Sequence, residues 1–256
     1  MKVTLVGNAG VWLRETGHSL LLDSLYGKNE FFSSPLAEMD AAAAGLASHF
    51  RDADAVLFSH RHEDHFNARL VNDYLRHNEV KKVYIPRLTE PPNEWEDPGV
   101  VLPATSGAQI ISVGEHGETI FYDNIGDDCW VVFFKTTHMG GYRYDARHYS
   151  VIVIFHGYSY IFMADTDWTY PVKNVQSLLG QTKLQAVFVN PLSYMDTTGM
   201  KWLRALQPPR VVIYHVPYEG EDKSGLRRLV NRELQSQYLV NWDLLALTEP
   251  MQTENV

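Results

Sequence analysis

The chain has 256 residues, long enough to bury a substantial core and near the upper size for one α/β domain. Its composition is 45% hydrophobic and 21% charged, with mean hydropathy -0.24, as in a soluble globular protein. A net charge of -9 argues against nucleic acid as the main partner, because a phosphate backbone calls for a basic surface. One cysteine, Cys129, excludes an intramolecular disulfide and a cysteine-based zinc cluster, and reads as a small core residue.

Taken in order, the N-terminus reads as a strand meander. Residues 2–6 and 11–15 alternate, with Gly7-Asn8-Ala9-Gly10 as the turn between them, and Gly17-His18 turns the chain into a third strand over 19–23. Met1-Lys2 leads at once into Val3-Thr4-Leu5-Val6, too short for a signal-peptide core, and a cytoplasmic location is expected. The turn lacks Gly-x-Gly-x-x-Gly spacing, and no Gly-Lys-Ser/Thr phosphate loop follows anywhere. Asp23 reads either as a strand terminator or as a hydrogen-bond partner of a nearby site. Ser34-Pro35 suits a helix start, with Pro at the first helical position, and 36–50 is alanine-rich though weakened by Gly45.

Residues 55–58 form a short apolar strand. It runs into Ser59-His60-Arg61-His62-Glu63-Asp64-His65-Phe66, with three His and one Asp within six residues. On an extended backbone His60 and His62 share a face, since side chains i and i+2 point the same way. Asp64 and His65 lie beyond the turn, in reach of a second metal. Asn67 suits the cap of a helix through His77, whose apolar face is Leu70, Val71, Tyr74 and Leu75. A strand over 81–86 precedes a Pro- and acid-rich stretch, 87–99, expected to be a surface loop.

Strands are expected over 109–113, 119–122 and 130–136, the last ending at His138. The pair 149–155 and 160–164 forms a hairpin that delivers the chain to Asp165. Its apolar region is broken by His156-Gly157-Tyr158-Ser159, so it does not span a membrane. The texture then alternates: helix 171–179, strand 184–190, helix 199–206, strand 210–214 ending at His215, and helix 224–235. The β-rich then α/β texture occurs twice, which suggests two similar halves packed sheet to sheet.

His60, His138, Asp165 and His215 each follow a predicted strand, and parallel strand ends are where open α/β folds place their sites. With His62, Asp64 and His65 they make a donor set of five imidazoles and two carboxylates. That set suits zinc first and manganese or iron equally in kind, but not calcium, which prefers oxygen. Seven donors exceed what one tetrahedral ion needs, so two divalent ions are expected, with Asp165 as the bridge.

His60-x-His62-x-Asp64-His65, then His138, Asp165 in Ala-Asp-Thr and His215 in Ile-Tyr-His resemble the metallo-β-lactamase-fold hydrolases over essentially the whole chain. The resemblance implies a single domain, 1–256, with an αβ/βα sandwich of two mixed sheets flanked by helices. It also implies that His60, His62 and His138 hold one metal, and Asp64, His65 and His215 the other, with Asp165 shared. Class B β-lactamases are less similar, since they place a Cys in the second position. Flavodiiron proteins carry Glu where His62 stands. Forty-one residues after His215 leave no room for the helical domain of glyoxalase II-type thioesterases, and 27 from His138 to Asp165 leave none for the RNA-binding insertions of other relatives. The chain is most similar to the compact lactonase and phosphodiesterase branch, including sugar-phosphate lactonase-like proteins.

The expected chemistry is hydrolysis of an ester-type bond, lactone or phosphodiester, in a small molecule by a metal-bridging hydroxide. Asp64 is the candidate to carry the proton to the leaving group. Arg143, Tyr194 and Tyr218 are candidate substrate contacts, as are Tyr142, Tyr144, Arg147, His148 and Asn190; Arg143 and Arg147 would favour an anion if they face the metals. A homo-oligomer is compatible with the sequence. The alternatives are a metal-stabilised binding protein without turnover, and a di-iron redox protein.

Overall fold

Alternating residues of the strands turn toward one another across two stacked sheets, and their other faces turn outward onto helices. The computed structural model describes residues 1–27, 33, 35–103, 107–236 and 239–256. The first sheet comprises β1 (Lys2–Leu5), β2 (Val11–Glu15), β3 (His18–Leu22), β4 (Ala55–Leu57), β5 (Lys82–Pro86) and β6 (Gln109–Val113). The second comprises β7 (Ile120–Gly126), β8 (Cys129–Thr136), β9 (His148–Phe155), β10 (Tyr158–Phe162), β11 (Lys183–Val189), β12 (Arg210–Ile213) and β13 (Asp243–Ala246). A last strand, β14 (Thr253–Asn255), returns to pair with β1.

Each sheet begins as antiparallel hairpins and continues as parallel strands, in the orders β14-β1-β2-β3-β4-β5-β6 and β13-β12-β11-β10-β9-β8-β7. Parallel neighbours need crossovers, and except between β5 and β6, where the described residues of 87–108 contain no helix, helices supply them. They are α1 (Ala37–Ala43), α2 (Ala68–His77), α3 (Val172–Leu179), α4 (Pro191–Met195), α5 (Thr197–Leu206) and α6 (Leu226–Gln235). The inner faces meet in one core: Leu13, Leu22 and Leu57 of the first sheet pack with Phe133, Val151, Phe162 and Phe188 of the second. The outer face of the first sheet packs Val56 and Val83 under Met39, Val71 and Tyr74 of α1 and α2. The outer face of the second packs Ile161, Val187 and Val211 under Val175, Leu203 and Val230 of α3, α5 and α6. This is the four-layer αβ/βα sandwich that the sequence resemblance implies. Among the described residues no helix is long and apolar enough to cross a membrane.

Three expectations change. Helix α1 stops at Ala43 instead of reaching Phe50, because Gly45 turns left-handed at φ +74° and ends it. It also starts late: Leu36 stays extended at ψ 139°, so Pro35 precedes the helix, while Ser34 lies outside the described residues. Strands β13 and β14 were not anticipated, being short and without clean alternation.

Candidate metal centre

The parallel strands of both sheets end at one edge, and the seven candidate donors lie in the segments that leave it. Asp23 ends β3 in a left-handed conformation, φ +51°, and its carboxylate organises the histidine loop. It accepts from the Ser59 amide (2.8 Å) and the Ser59 hydroxyl (2.7 Å), and its Oδ2 lies 3.0 Å from His65 Nδ1. The sequence left Asp23 between two roles; the structure gives it the hydrogen-bonding one. Phe58 and Phe66 stack edge to face at 4.8 Å and pin the loop at both ends. Between them the amides of His65 and Phe66 both bond the His62 carbonyl at 2.9 Å, turning Asp64 and His65 back over the strand ends.

The second sheet supplies the rest. His138 follows β8 and pairs with Thr166 in an isolated bridge, while the Met139 amide bonds the Asp165 carbonyl at 2.7 Å. His215 leaves β12 at φ +62°, an uncommon conformation for a residue with a Cβ, held here at the edge where the imidazole is needed.

The donors fall into two groups, His60 with His62 and His138, and Asp64 with His65, Asp165 and His215; within each, the donor atoms lie within 4.8 Å of one another. Asp165 Oδ2 sits between the groups, 3.6 Å from His138 Nε2, 3.3 Å from His65 Nε2 and 3.7 Å from His215 Nε2. Asp64 Oδ2 lies 3.3 Å from His215 Nε2 and 3.5 Å from His65 Nε2. Donors held tetrahedrally at about 2.0–2.1 Å from one ion stand about 3.3 Å apart, so these separations are those of coordination edges.

The hydrogen bonds fix which nitrogen faces inward. His60 Nδ1 lies 2.9 Å from Ser59 Oγ, His65 Nδ1 meets Asp23, and His138 Nδ1 donates to the Met139 carbonyl at 2.5 Å. Ser59 Oγ already donates to Asp23, so it can only accept from His60. That leaves Nε2 of each ring, in its neutral form, with its lone pair inward. The Nε2 atoms of His60, His62, His65 and His138 are buried and have no hydrogen-bond partner among the described residues. Buried polar atoms are normally satisfied; four converging orphans beside two carboxylates fit divalent cations.

Charge follows the same division. Burial, with the neighbouring imidazoles, pushes His60 well below its ordinary value, and burial with His138 pushes His62 down to about 3, so both are neutral donors. At His65 and His215 burial works the same way, but it is outweighed: Asp64 and Asp23 raise His65, and Asp165 and Asp64 raise His215. Burial likewise works to raise Asp64 and Asp165, yet the adjacent imidazoles hold both carboxyls low.

Three supporting residues were not singled out for this role by sequence. Asn190 Nδ2 donates to Asp165 Oδ1 at 2.6 Å, leaving Oδ2 for the centre, while its own Oδ1 caps α4. Asn8 Nδ2 donates to Asp64 Oδ2 at 3.0 Å. His148 is fully buried; its Nε2 accepts the Asp165 amide at 3.1 Å, and its Nδ1 lies 2.7 Å from Thr136 Oγ1. Asn190, immediately beyond β11, and Asn8, in the turn between β1 and β2, were the available signal.

The candidate substrate contacts fare differently. Tyr194 is 2% exposed and packs with the outer core under the second sheet, its phenol toward Trp242, because the short helix α4 turns it inward. It is withdrawn as a substrate contact. Tyr218 is buried, its amide donating to Ser33 Oγ at 2.9 Å, and its hydroxyl has no partner among the described residues. Arg143 sits exposed on the 3-10 turn Gly141–Tyr144, 3.8 Å from Glu94. His148 supports the centre instead of lining its mouth.

No protein-family model matches the chain, and no curated protein matches its sequence. Solved structures do. The chain is similar to CmlA, a diiron β-hydroxylase from Streptomyces venezuelae, at 18% identity and TM-score 0.67, covering 100% of this chain and 54% of that one. It thus spans about half the length of that protein. It is similar to Igni18, a metallo hydrolase from the archaeon Ignicoccus hospitalis, at 15% identity and TM-score 0.64, over 99% of this chain and 97% of that one. It is also similar to the metallo-β-lactamase fold protein YhfI from Bacillus subtilis, at 14% identity and TM-score 0.61, over 99% of both.

Proposed function

We propose that this chain, which has the metallo-β-lactamase fold, is a metal-dependent hydrolase of a small ester-type substrate, a lactone or phosphodiester. One observation carries the reading: four buried Nε2 atoms that lack a hydrogen bond among the described residues and two carboxylates converge in two groups that meet at Asp165. His60, His62 and His138 would hold one divalent ion, and Asp64, His65 and His215 the other, with Asp165 shared. Zinc suits the donors first, with manganese or iron as alternatives. Two such ions supply Lewis acidity and a source of hydroxide near neutral pH.

The chain's own residues do the rest. Asp23, through Ser59 and His65, and Asn190, through Asp165, hold the donors in one orientation. Asp64 is the group positioned to move a proton to the leaving oxygen, its Oδ2 steadied by Asn8. Arg143 is engaged by Glu94, so substrate selection by Arg143 requires that pair to open.

Metal content and turnover test this together. The chain loaded separately with zinc, manganese or iron is assayed on lactones, phosphodiesters and thioesters. Hydrolysis that falls by about 10²–10⁴ in Asp64→Asn supports the proposal. Two bound ions with no turnover on any substrate favour a binding protein. The likeness to a diiron β-hydroxylase supports a second reading, oxygen chemistry on two irons; oxygen consumption by the iron form alone, without hydrolysis, would select it.

A further inference from the structure

The stretch 87–99 is more than the surface loop its composition suggests. His62 and Glu96 form an antiparallel bridge, flanked by Glu63 N to the Trp95 carbonyl (3.1 Å) and Asp97 N to the Arg61 carbonyl (2.8 Å). Those two bonds bracket His62, so its backbone is set by this strap. The strap is set in turn by Glu96, an acidic loop residue only 4% exposed. Glu96 Oε1 accepts from the Thr89 amide (3.3 Å) and hydroxyl (3.2 Å), and Oε2 from the Asn93 amide (2.8 Å). Thr89 Oγ1 also accepts from the Arg147 amide at 2.9 Å, and Asn93 Nδ2 donates to the Arg143 carbonyl at 2.8 Å. Arg143 and Arg147 belong to the segment that leaves His138. The knot around Glu96 therefore ties the His62 loop of one sheet to the His138 segment of the other.

We infer that Glu96 is a positioning residue for His62, fixing its spacing to His138 and so setting metal affinity at the His60/His62/His138 position without touching the metal. The inference rests on reading the seven-residue cluster as a metal centre. It predicts a selective effect, whereas a residue that merely folds a loop would weaken both positions or neither.

The test is competitive titration of zinc against a chromophoric chelator, with cobalt spectra to separate the positions. Glu96→Ala should weaken the first position about 10–100-fold and leave the other within about twofold. Glu96→Gln should recover part of this loss: its carbonyl still accepts the Asn93 amide and its NH2 can donate to the Thr89 hydroxyl, but the Thr89 amide loses its acceptor. In a His62→Ala background, Glu96→Ala should cost nothing further. Should Glu96→Ala fail to fold, Thr89→Val, which cuts the link to Arg147, should give a smaller loss of the same selectivity. Equal losses at both positions, additivity with His62→Ala, or unchanged affinity in the folded variants would each overturn the inference. Wild type that binds no metal overturns the proposed function as well; wild type with two ions and indifferent Glu96 variants overturns this inference alone.

Discussion

Replacing Asp23 by Asn keeps the shape of a fully buried side chain and changes one atom's role. Oδ1 can still accept the Ser59 amide, but Oδ2, which meets both the Ser59 hydroxyl and His65 Nδ1, becomes an NH2 donor. Two donors then face a third. His65 resolves the conflict by moving its proton to Nε2, the atom aimed at the candidate metal position. Binding an ion requires that proton to return to Nδ1, where only the long 3.5 Å contact with Ser59 Oγ replaces the carboxylate, at about 1–3 kcal/mol for a poorly satisfied buried group. At about 1.4 kcal/mol per factor of ten, that is a loss of about 5- to 150-fold, consistent with about 10–100-fold for partners of metal-bound histidines. The loss should fall mainly on the Asp64/His65/Asp165/His215 position. Ser59→Ala removes the acceptor of His60 Nδ1 instead, and should weaken the other position more. Chelator competition on both variants, with circular dichroism as the fold check, reads this contrast. Affinity unchanged in Asp23→Asn, or the same profile in both variants, would refute the tautomer argument.

Further outcomes follow from other parts of the molecule. Removing metal by chelation should lower the melting temperature, because an ion at 1,000 times its Kd stabilises the fold by about 4 kcal/mol. Asp222 accepts from the amides of Ser224, Leu226 and Arg227 at the start of α6, which hold its carboxyl below the usual range against burial. Asp222→Ala should cost about 1 kcal/mol at pH 7, measured by urea unfolding. Since its pKa is depressed in the folded chain, that contribution is present above the unfolded value near 3.9, and the difference between variant and wild type should shrink as pH falls below about 4. Tyr74→Phe strips the Phe50 carbonyl of its donor and the Ala53 amide of its acceptor, both buried, and should cost about 1–3 kcal/mol. Burial pushes the Cys129 thiol up to about 12, so thiol reagents at pH 8 should label it only after unfolding.

The sequence made the candidate metal centre legible because four of its donors follow strand ends, which can be read from local alternation, and the other three cluster within five residues of His60. Its supports were less so. Asp23, Asn8 and His148 act on partners 36 or more, 56 and 17 residues away, and no local pattern reports such contacts. Glu96 lies in a stretch whose Pro and acid content reads as solvated, yet its carboxylate is buried by three donors of its own loop. Tyr194 shows the converse limit: a helix of five residues has too few positions to reveal which face turns inward. Strands β13 and β14 lie at the ends of their sheets, where half of the pairing that would demand a clean pattern is missing.

Both donor groups are composite. His60, His62, Asp64 and His65 hang from the first sheet, while His138, Asp165 and His215 hang from the second. Sliding one sheet over the other by an ångström would change every cross-sheet donor separation at once. The phenylalanines of the second sheet, packed against the leucines and valines of the first, resist such shear, since packed cores settle into discrete arrangements and do not deform continuously. Any motion at the candidate site therefore belongs to the segments above the strand ends, and the two sheets act as a fixed anvil beneath them.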